Sequence, residues 1–371
     1  MNMETRTITY HASLNNGSFF QAYALQQTLL RLGYENRILD IQCDALKRDY
    51  ELFRKPSSLG DIAKNVISFI HFKSLKIRTQ KFAAARKKYL SLTDEYSKLS
   101  DYVRATSDTD SVYIAGSDQI WNVSASDFTD DYFLPKIKNK IAFSVSGGSN
   151  ITKIELERKL NAIREFQSIS VRETDLQRIL TSFGIESVFT VDPTLLLAKK
   201  DYLKLVSPQP YIKGKYIFLY TVKCNPRVLK MAKRISKHLN MPVYTLFNTF
   251  RSEKNVLYGI HNIYDAGPFD FLNLIHNATL VLTDSFHGTV FSVIIEKEFY
   301  YIADVNEKGQ PQRDDRIDDF LQKVDMTTYT VSVMEPETRI AIGQKRSYSH
   351  ALELINTMRS KAIKYLTDSI R

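Results

Sequence analysis

The chain has 371 residues, enough for two domains, and its 43% hydrophobic and 25% charged residues are an ordinary globular balance. No run approaches the roughly 20 consecutive apolar residues of a membrane helix, and two cysteines, Cys43 and Cys224, without CxxC spacing exclude a disulfide framework and a zinc pattern. The net charge of +10 is concentrated between Lys47 and Arg104, with 14 Lys or Arg against 6 Asp or Glu, and the near-neutral remainder argues against a nucleic-acid binder.

The opening "MNMETRTITY" lacks the basic-then-apolar order of a signal peptide, and the cysteine usage suits a reducing compartment, so a cytoplasmic setting is expected. Short apolar runs then alternate with helix-like runs, the pattern of an α/β chain with mainly parallel sheets. Strands are predicted at Thr7–Tyr10, Asn36–Ile41, Ser111–Ala115, Ile141–Val145, Ser168–Val171 and Ser187–Val191. Helices are predicted over Phe19–Leu32 and Thr174–Phe183, each closed by a glycine suited to a left-handed cap, Gly33 and Gly184.

Residues 46–107 break this rhythm with a stretch that is helical, basic and apolar at once. Two readings follow: a helical insertion packed on the first domain, or a basic amphipathic surface that docks on an anionic membrane. The Pro-rich "VSPQPYIKGK" reads as a linker, 206–215. A second α/β series follows it. "KYIFLYTV" is a strand, and Asn225 with Pro226 opens a helix. Then come "PVYTLF" as strand, "PFDFLNLIHNA" as helix, "TLVLTD" as strand, "GTVFSVIIEK" as helix and "FYYIA" as strand. A helix-like tail runs from about Ser347 to Ile370. The expected architecture is two Rossmann-like domains facing a cleft, 1–205 and 216–371, the first carrying the insertion and the second the C-terminal helix. Ligands in such folds gather beyond the C-terminal ends of the strands.

Four strand ends carry candidate chemistry. In "HASLNNGSFFQAYALQ", Asn16, Gly17 and Ser18 open a helix, either as a plain cap or as an anion site. In "YIAGSDQIWN", Asp118, Gln119 and Asn122 could bond hydroxyls and Trp121 could offer a face to a sugar ring, or Trp121 is core and Asp118 a cap. In "SISVRETDLQ", Arg172 could fork onto a phosphate or carboxylate, or pair with Glu173. In "TDSFHGTVFS", Ser285, Gly288 and Thr289 offer small side chains and amides to an anion, and His287 titrates near neutral pH.

The ordered set "NNGSFFQAYALQ", "YIAGSDQIWN", "IAFSVS", "SVRE", "TVDPTLLL", "GPFDFLNLIHNATLVLTDSFHGTVFS" and "DRIDDFL" resembles the polysaccharide pyruvyl transferase family over roughly residues 10 to 325. The resemblance implies a glycosyltransferase-B-like fold with the donor in the cleft. It implies transfer of a pyruvyl group from phosphoenolpyruvate to a sugar, forming a pyruvate ketal on a capsule, exopolysaccharide or cell-wall polymer. The acceptor is then a sugar or lipid-linked oligosaccharide, often at the cytoplasmic membrane face. On that reading His287 contacts the phosphate or donates a proton. Arg172, with Arg316 or Arg313, neutralises the donor. Ser285, Gly288 and Thr289 cradle phosphate. Asp118 is the base for the acceptor hydroxyl, Ser117, Gln119, Trp121 and Asn122 line the acceptor side, and Asn16, Gly17 and Ser18 close the cleft. No metal and no cofactor beyond phosphoenolpyruvate as co-substrate is expected. A nucleotide-sugar-dependent glycosyltransferase on the same fold is the alternative, with a non-catalytic scaffold behind it.

Overall fold

Strand periodicity and β-branched content give two parallel sheets, one in each of two compact units. The computed structural model describes residues 3–43, 47, 48, 50–108, 110–149, 151–306, 309–312, 314–343 and 347–371.

The first unit comprises Met1–Glu51, Ala83–Leu197 and Ile355–Arg371. Its strands are β1 (Glu4–Ile8), β2 (Glu35–Ile41), β3 (Leu92–Tyr96), β4 (Val112–Gly116), β5 (Lys140–Val145), β6 (Ser168–Val171) and β7 (Val188–Phe189). They lie in the order β3-β2-β1-β4-β5-β6-β7. Chain order reverses between β1 and β4, which pair in register from Thr5 with Val112 to Ile8 with Ala115. The Asn16–Arg31 helix packs close to this point because Gly116 has no side chain. A Cβ there would lie 2.6 Å from Leu25 Cδ2. The fully buried β4 and β5 are apolar runs apart from Ser144, whose hydroxyl donates to the Val191 carbonyl at 2.8 Å, and Lys140, whose ammonium donates to the carbonyls of Phe133 and Leu134, each at 3.0 Å, and to Glu165 at 2.7 Å.

The second unit comprises Leu52–Phe82 and Ala198–Leu354. Its strands are β8 (Ile217–Tyr220), β9 (Val243–Leu246), β10 (Ile260–Ile263), β11 (Leu280–Thr283), β12 (Phe299–Val305), β13 (Pro311–Gln312) and β14 (Thr330–Ser332). The order is β10-β9-β8-β11-β12-β13, with β14 parallel to β12 and β13 antiparallel to it. Here the reversal falls between β8 and β11. Asn225 accepts from Arg227 N and Pro226 opens the Pro226–Leu239 helix, as its sequence predicts.

Three expected boundaries are corrected. Residues 52–82 of the insertion belong to the second unit. Its contacts there are specific: Arg78 donates to the Phe247 carbonyl, Lys81 meets Asp270 at 2.8 Å, and His71 stacks on Tyr264 with ring centres 3.8 Å apart. The remainder supplies β3 to the first sheet, a strand the helical reading of the insertion missed. The supposed linker is fastened within the second unit, because Asn273 accepts from Tyr211 N and donates to the carbonyls of Ser207 and Gln209. The end of the Ser349–Ile370 helix belongs to the first unit. Arg359 donates to the carbonyls of Leu195 and Leu197, and Tyr365 to that of Ala142. Strand β1 also ends two residues before the predicted Thr7–Tyr10 segment does, so Thr9 and Tyr10 begin the loop at the reversal point.

Candidate active site

In the first unit the reversal point is built by the loop after β1 and the turn after β4. Asn15 caps the Asn16–Arg31 helix, its Oδ1 accepting from Gly17 N at 2.9 Å and Ser18 N at 3.4 Å. The amides of Gly17 and Ser18 are therefore engaged by Asn15, and Ser18 is not the cap. Its hydroxyl instead donates to Asp118 Oδ2 at 2.6 Å. Asp118 follows Ser117, and both have positive φ, 63° and 23°, a conformation that costs energy in non-glycine residues and tends to collect at functional sites. The turn is held from several sides: Thr9 Oγ1 donates to the Ser117 carbonyl, while Ile120 N and Ser146 N donate to that of Asp118. Among the described residues, Ser13 Oγ, Asn16 Oδ1 and Ser117 Oγ are buried there without a hydrogen-bond partner. Buried oxygens in that condition are costly unless a ligand's hydroxyls bond to them.

Arg172 leaves β6 into this neighbourhood among three carboxylates. It pairs with Asp192, donates to Glu173 at 3.2 Å and lies 3.6 Å from Asp118. Burial would lower its pKa, but the three carboxylates outweigh this and hold it above the usual range. Arg172 was expected to fork onto the donor; here its guanidinium faces carboxylates of its own unit. Arg172 positions three acids, and the group's formal charge is negative, which suits hydroxyls better than a phosphate. Asp192 was missed. Its carboxylate takes Arg172 on one oxygen and Thr194 N and Oγ1 on the other; the "TVDP" motif was its only signal.

Trp121 is also corrected. It is 0% exposed and packs on Phe133 and Phe166 at ring distances of 5.5 and 5.7 Å, so it is core and offers no face to a sugar. Gln119 and Asn122 are half-buried, bonded to each other at 3.1 Å and set against the backbone of Gly148. His11 at the strand end was not singled out. Its ring faces the Thr9 carbonyl at 3.0 Å and Asp40 at 2.9 Å. Burial pushes the Asp40 carboxyl up, but the bond to His11 and the charge of Arg86 hold it below the usual range.

In the second unit the reversal point lies between the loop after β8 and the turn after β11. Ser285 is the N-cap of the Phe286–Ile295 helix, yet its side chain makes no cap bond. Its backbone N donates to Thr283 Oγ1 at 3.0 Å. The first turn of this helix therefore presents amides without a side-chain cap, the condition in which a helix N-terminus receives an anion. His287 is half-buried in that first turn, edge-on to Phe286. One expected cradle residue, Thr289, is engaged within the helix. Thr289 is buried, its hydroxyl donating back to the Ser285 carbonyl at 3.1 Å. Gly288 is required by packing, since a Cβ there would lie 2.2 Å from Thr283 Oγ1. Arg316 lies over the Phe286 ring but forks onto Asp314 at 2.9 and 2.6 Å. Arg313 lies outside the described residues.

Two groups here were given no role from the sequence: Asp284, named at the turn, and Lys223. Asp284 accepts from Thr221 Oγ1 at 2.8 Å and Val222 N at 3.3 Å. Burial pushes its carboxyl up to about 6 in spite of these bonds. Lys223, exposed on the β8 loop, is near enough to lower the pKa of both Asp284 and Asp314. Asp284 stood in the quoted motif, but only burial gives its carboxyl that character. Among the described residues no three His, Cys, Asp or Glu side chains converge as metal ligands.

Two solved structures share the fold at low identity. UDP-GlcNAc 2-epimerase of Methanocaldococcus jannaschii, solved with UDP-GlcNAc and UDP, superposes with a TM-score of 0.53 at 11% identity, covering 99% of both chains. S. aureus MnaA, solved with UDP, gives 0.50 at 14% identity, covering 98% of this chain and 91% of its own. No curated protein matches the sequence. The sequence model of polysaccharide pyruvyl transferases matches residues 15–304, from the cap of the first helix into β12. That span holds Asn16, Ser18, Asp118, Arg172, Asp192, Lys223, Asp284 and His287, and the chain belongs to the polysaccharide pyruvyl transferase family.

Proposed function

We propose that this protein transfers a pyruvyl group from phosphoenolpyruvate to a sugar of a cell-surface polysaccharide or its lipid-linked precursor. A proton adds to the donor's methylene carbon, making C2 electrophilic. One sugar hydroxyl attacks C2 and the bond to the phosphate oxygen breaks. A second hydroxyl closes the ketal. Of the two hydroxyl protons, one balances the new methyl group and the other leaves with inorganic phosphate.

The observation that carries this reading, beyond family membership, is the start of the Phe286–Ile295 helix, which lacks a side-chain cap at a reversal point that also carries Lys223 and His287. Such a site favours a small, highly charged anion. On this reading the first-turn amides, His287 and Lys223 hold the phosphate. Asp284, titrating at about 6, is the proton donor, because a group with a pKa near the working pH transfers protons most effectively. The acidic first-unit group fits the acceptor: Asp118 takes the hydroxyl proton, and Ser13, Asn16 and Ser117 bond the sugar.

The test is phosphate release from phosphoenolpyruvate with a panel of glycosides, with products read by mass spectrometry. His287→Ala and Lys223→Ala should each lose about 10²-fold or more in rate. Wild-type rates in both would end this assignment. Both structural neighbours were solved with UDP, so nucleotide-sugar-dependent glycosyl transfer is the second reading. A thermal shift with UDP-GlcNAc and none with phosphoenolpyruvate would favour it.

A further inference from the structure

The Leu59–Ile70 helix inverts the burial expected of a surface helix. Leu59, Ile62, Val66, Phe69 and Ile70 fall at spacings of i, i+3, i+7, i+10 and i+11, one stripe of a 3.6-residue helix. All five are exposed, Leu59 by 86%, Phe69 by 77% and Ile70 by 66%. The residues it buries are polar, Asp61 and Ser68. Asp61 is held inward by Ser57 N, Ser57 Oγ and Ser58 Oγ at 3.1, 2.7 and 3.0 Å. These bonds, with Arg54 3.8 Å from the same carboxylate, hold the polar side of the helix inward. Phe53 and Phe72, with ring centres 5.9 Å apart, extend the apolar surface. A continuous exposed apolar stripe of this kind marks an interaction surface.

The charge around the stripe identifies what it meets. Between Leu52 and Phe82 the chain holds seven Lys or Arg and one acid, Asp61, and that acid is buried. Arg78 and Lys81 are used inside the unit, on the Phe247 carbonyl and on Asp270. Lys55, Lys73 and Lys76 are exposed, and Lys76 Nζ stands 5.9 Å from the Phe72 ring. A second copy of the same face would set these lysines against each other. An anionic bilayer satisfies both features: the headgroup boundary takes the apolar stripe and lipid phosphates take the lysines. No helix among the described residues is long and apolar enough to cross a membrane, so the fit is to a helix lying in the interface.

We infer that the Leu59–Ile70 helix docks this protein on an anionic lipid surface. The inference is independent of the reaction proposed above, and its test uses no activity. The full chain is sedimented with vesicles of phosphatidylcholine alone or mixed with phosphatidylglycerol. Wild type should pellet with the anionic vesicles only, and less as salt rises. Phe69→Ser with Ile70→Ser, and separately Lys73→Glu with Lys76→Glu, should each weaken the partition by about tenfold or more. Lys230→Glu with Lys237→Glu, at exposed lysines elsewhere in the same unit, should leave it unchanged. The altered side chains are exposed, so melting midpoints should hold; if the serine variant unfolds, the lysine variant decides. Failure of wild type to pellet with anionic vesicles overturns the inference, as does undiminished pelleting of the Lys73/Lys76 variant. A dimer that the serine substitutions dissociate, without vesicle binding, would instead make this face a contact between copies.

Discussion

Ser18 Oγ donates to Asp118 Oδ2 at 2.6 Å across the point where the first sheet reverses its strand order. One residue opens the helix after β1 and the other closes β4, a hundred positions later. The bond fixes the carboxylate that the proposed reaction uses as its base. Asp118→Asn should lower phosphate release by about 10³-fold, within the range for loss of a general base. Ser18→Ala should keep the carboxylate but lose its orientation, lowering kcat by about tenfold with little change in the KM for phosphoenolpyruvate. Steady-state kinetics on both variants decide this, and equal losses in the two would make Ser18 more than a positioning residue.

Removing Arg172 leaves Asp118, Glu173 and Asp192 without their shared cation in a buried setting. Arg172→Met should therefore destabilise the fold by about 3–5 kcal/mol, the usual cost of breaking a buried ion pair from one side. Arg172→Lys should recover little, since a single ammonium cannot serve three carboxylates arranged around a planar fork. Chemical denaturation measures both. A stable Arg172→Met protein would return Arg172 to the ligand-binding role its sequence position suggests.

The pH dependence turns on Asp284. Its folded pKa of about 6 lies above the ordinary aspartate value of 3.8. The folded state therefore holds the proton more tightly, and Asp284 subtracts stability as pH rises from about 4 to 6, with no further change above. Asp284→Asn should raise stability by on the order of 1 kcal/mol at pH 7.5 and by little at pH 4, because the amide never charges. As proton donor, the wild-type residue should also give a kcat that declines above pH 6. Melting curves and rate profiles across pH 4–8 check the two statements separately.

Gly288→Ala should cost about 2 kcal/mol by crowding Thr283, with a Cβ only 2.2 Å from its hydroxyl. Thr283→Ala in the same chain should recover part of this, a coupling that a double-mutant cycle of melting midpoints reveals. Additive losses would show that Gly288 is needed for something other than this contact.

The α/β class, most strand positions and the capped helix at Asn225 follow from local pattern, because period and cap chemistry act within a few residues. The turns after β4 and β11 were legible for the same reason: burial drives an apolar run, and a cluster of polar residues must end it. Three of the four strand-end motifs lie at the reversal points, and the one after β6 does not. The roles within them were not legible. Trp121 carries the same residues around it whether it stacks on a sugar or on Phe133, and only packing decides. Arg172 reads as an anion fork until Asp192, twenty positions on, takes one of its nitrogens.

What the sequence determined by itself is therefore the fold class, the family and the short segments in which chemistry sits. Tertiary structure alone decided which members of those segments carry charge and which fill space. It assigned the insertion's first half to the second unit through Arg78 and Lys81, and the last helix to the first through Arg359 and Tyr365. It also turned the Leu59–Ile70 helix apolar side out. The physical reason is common to all of these. Propensity and periodicity are local, whereas burial, ion pairing and pKa depend on neighbours that only the folded chain brings within a few ångströms.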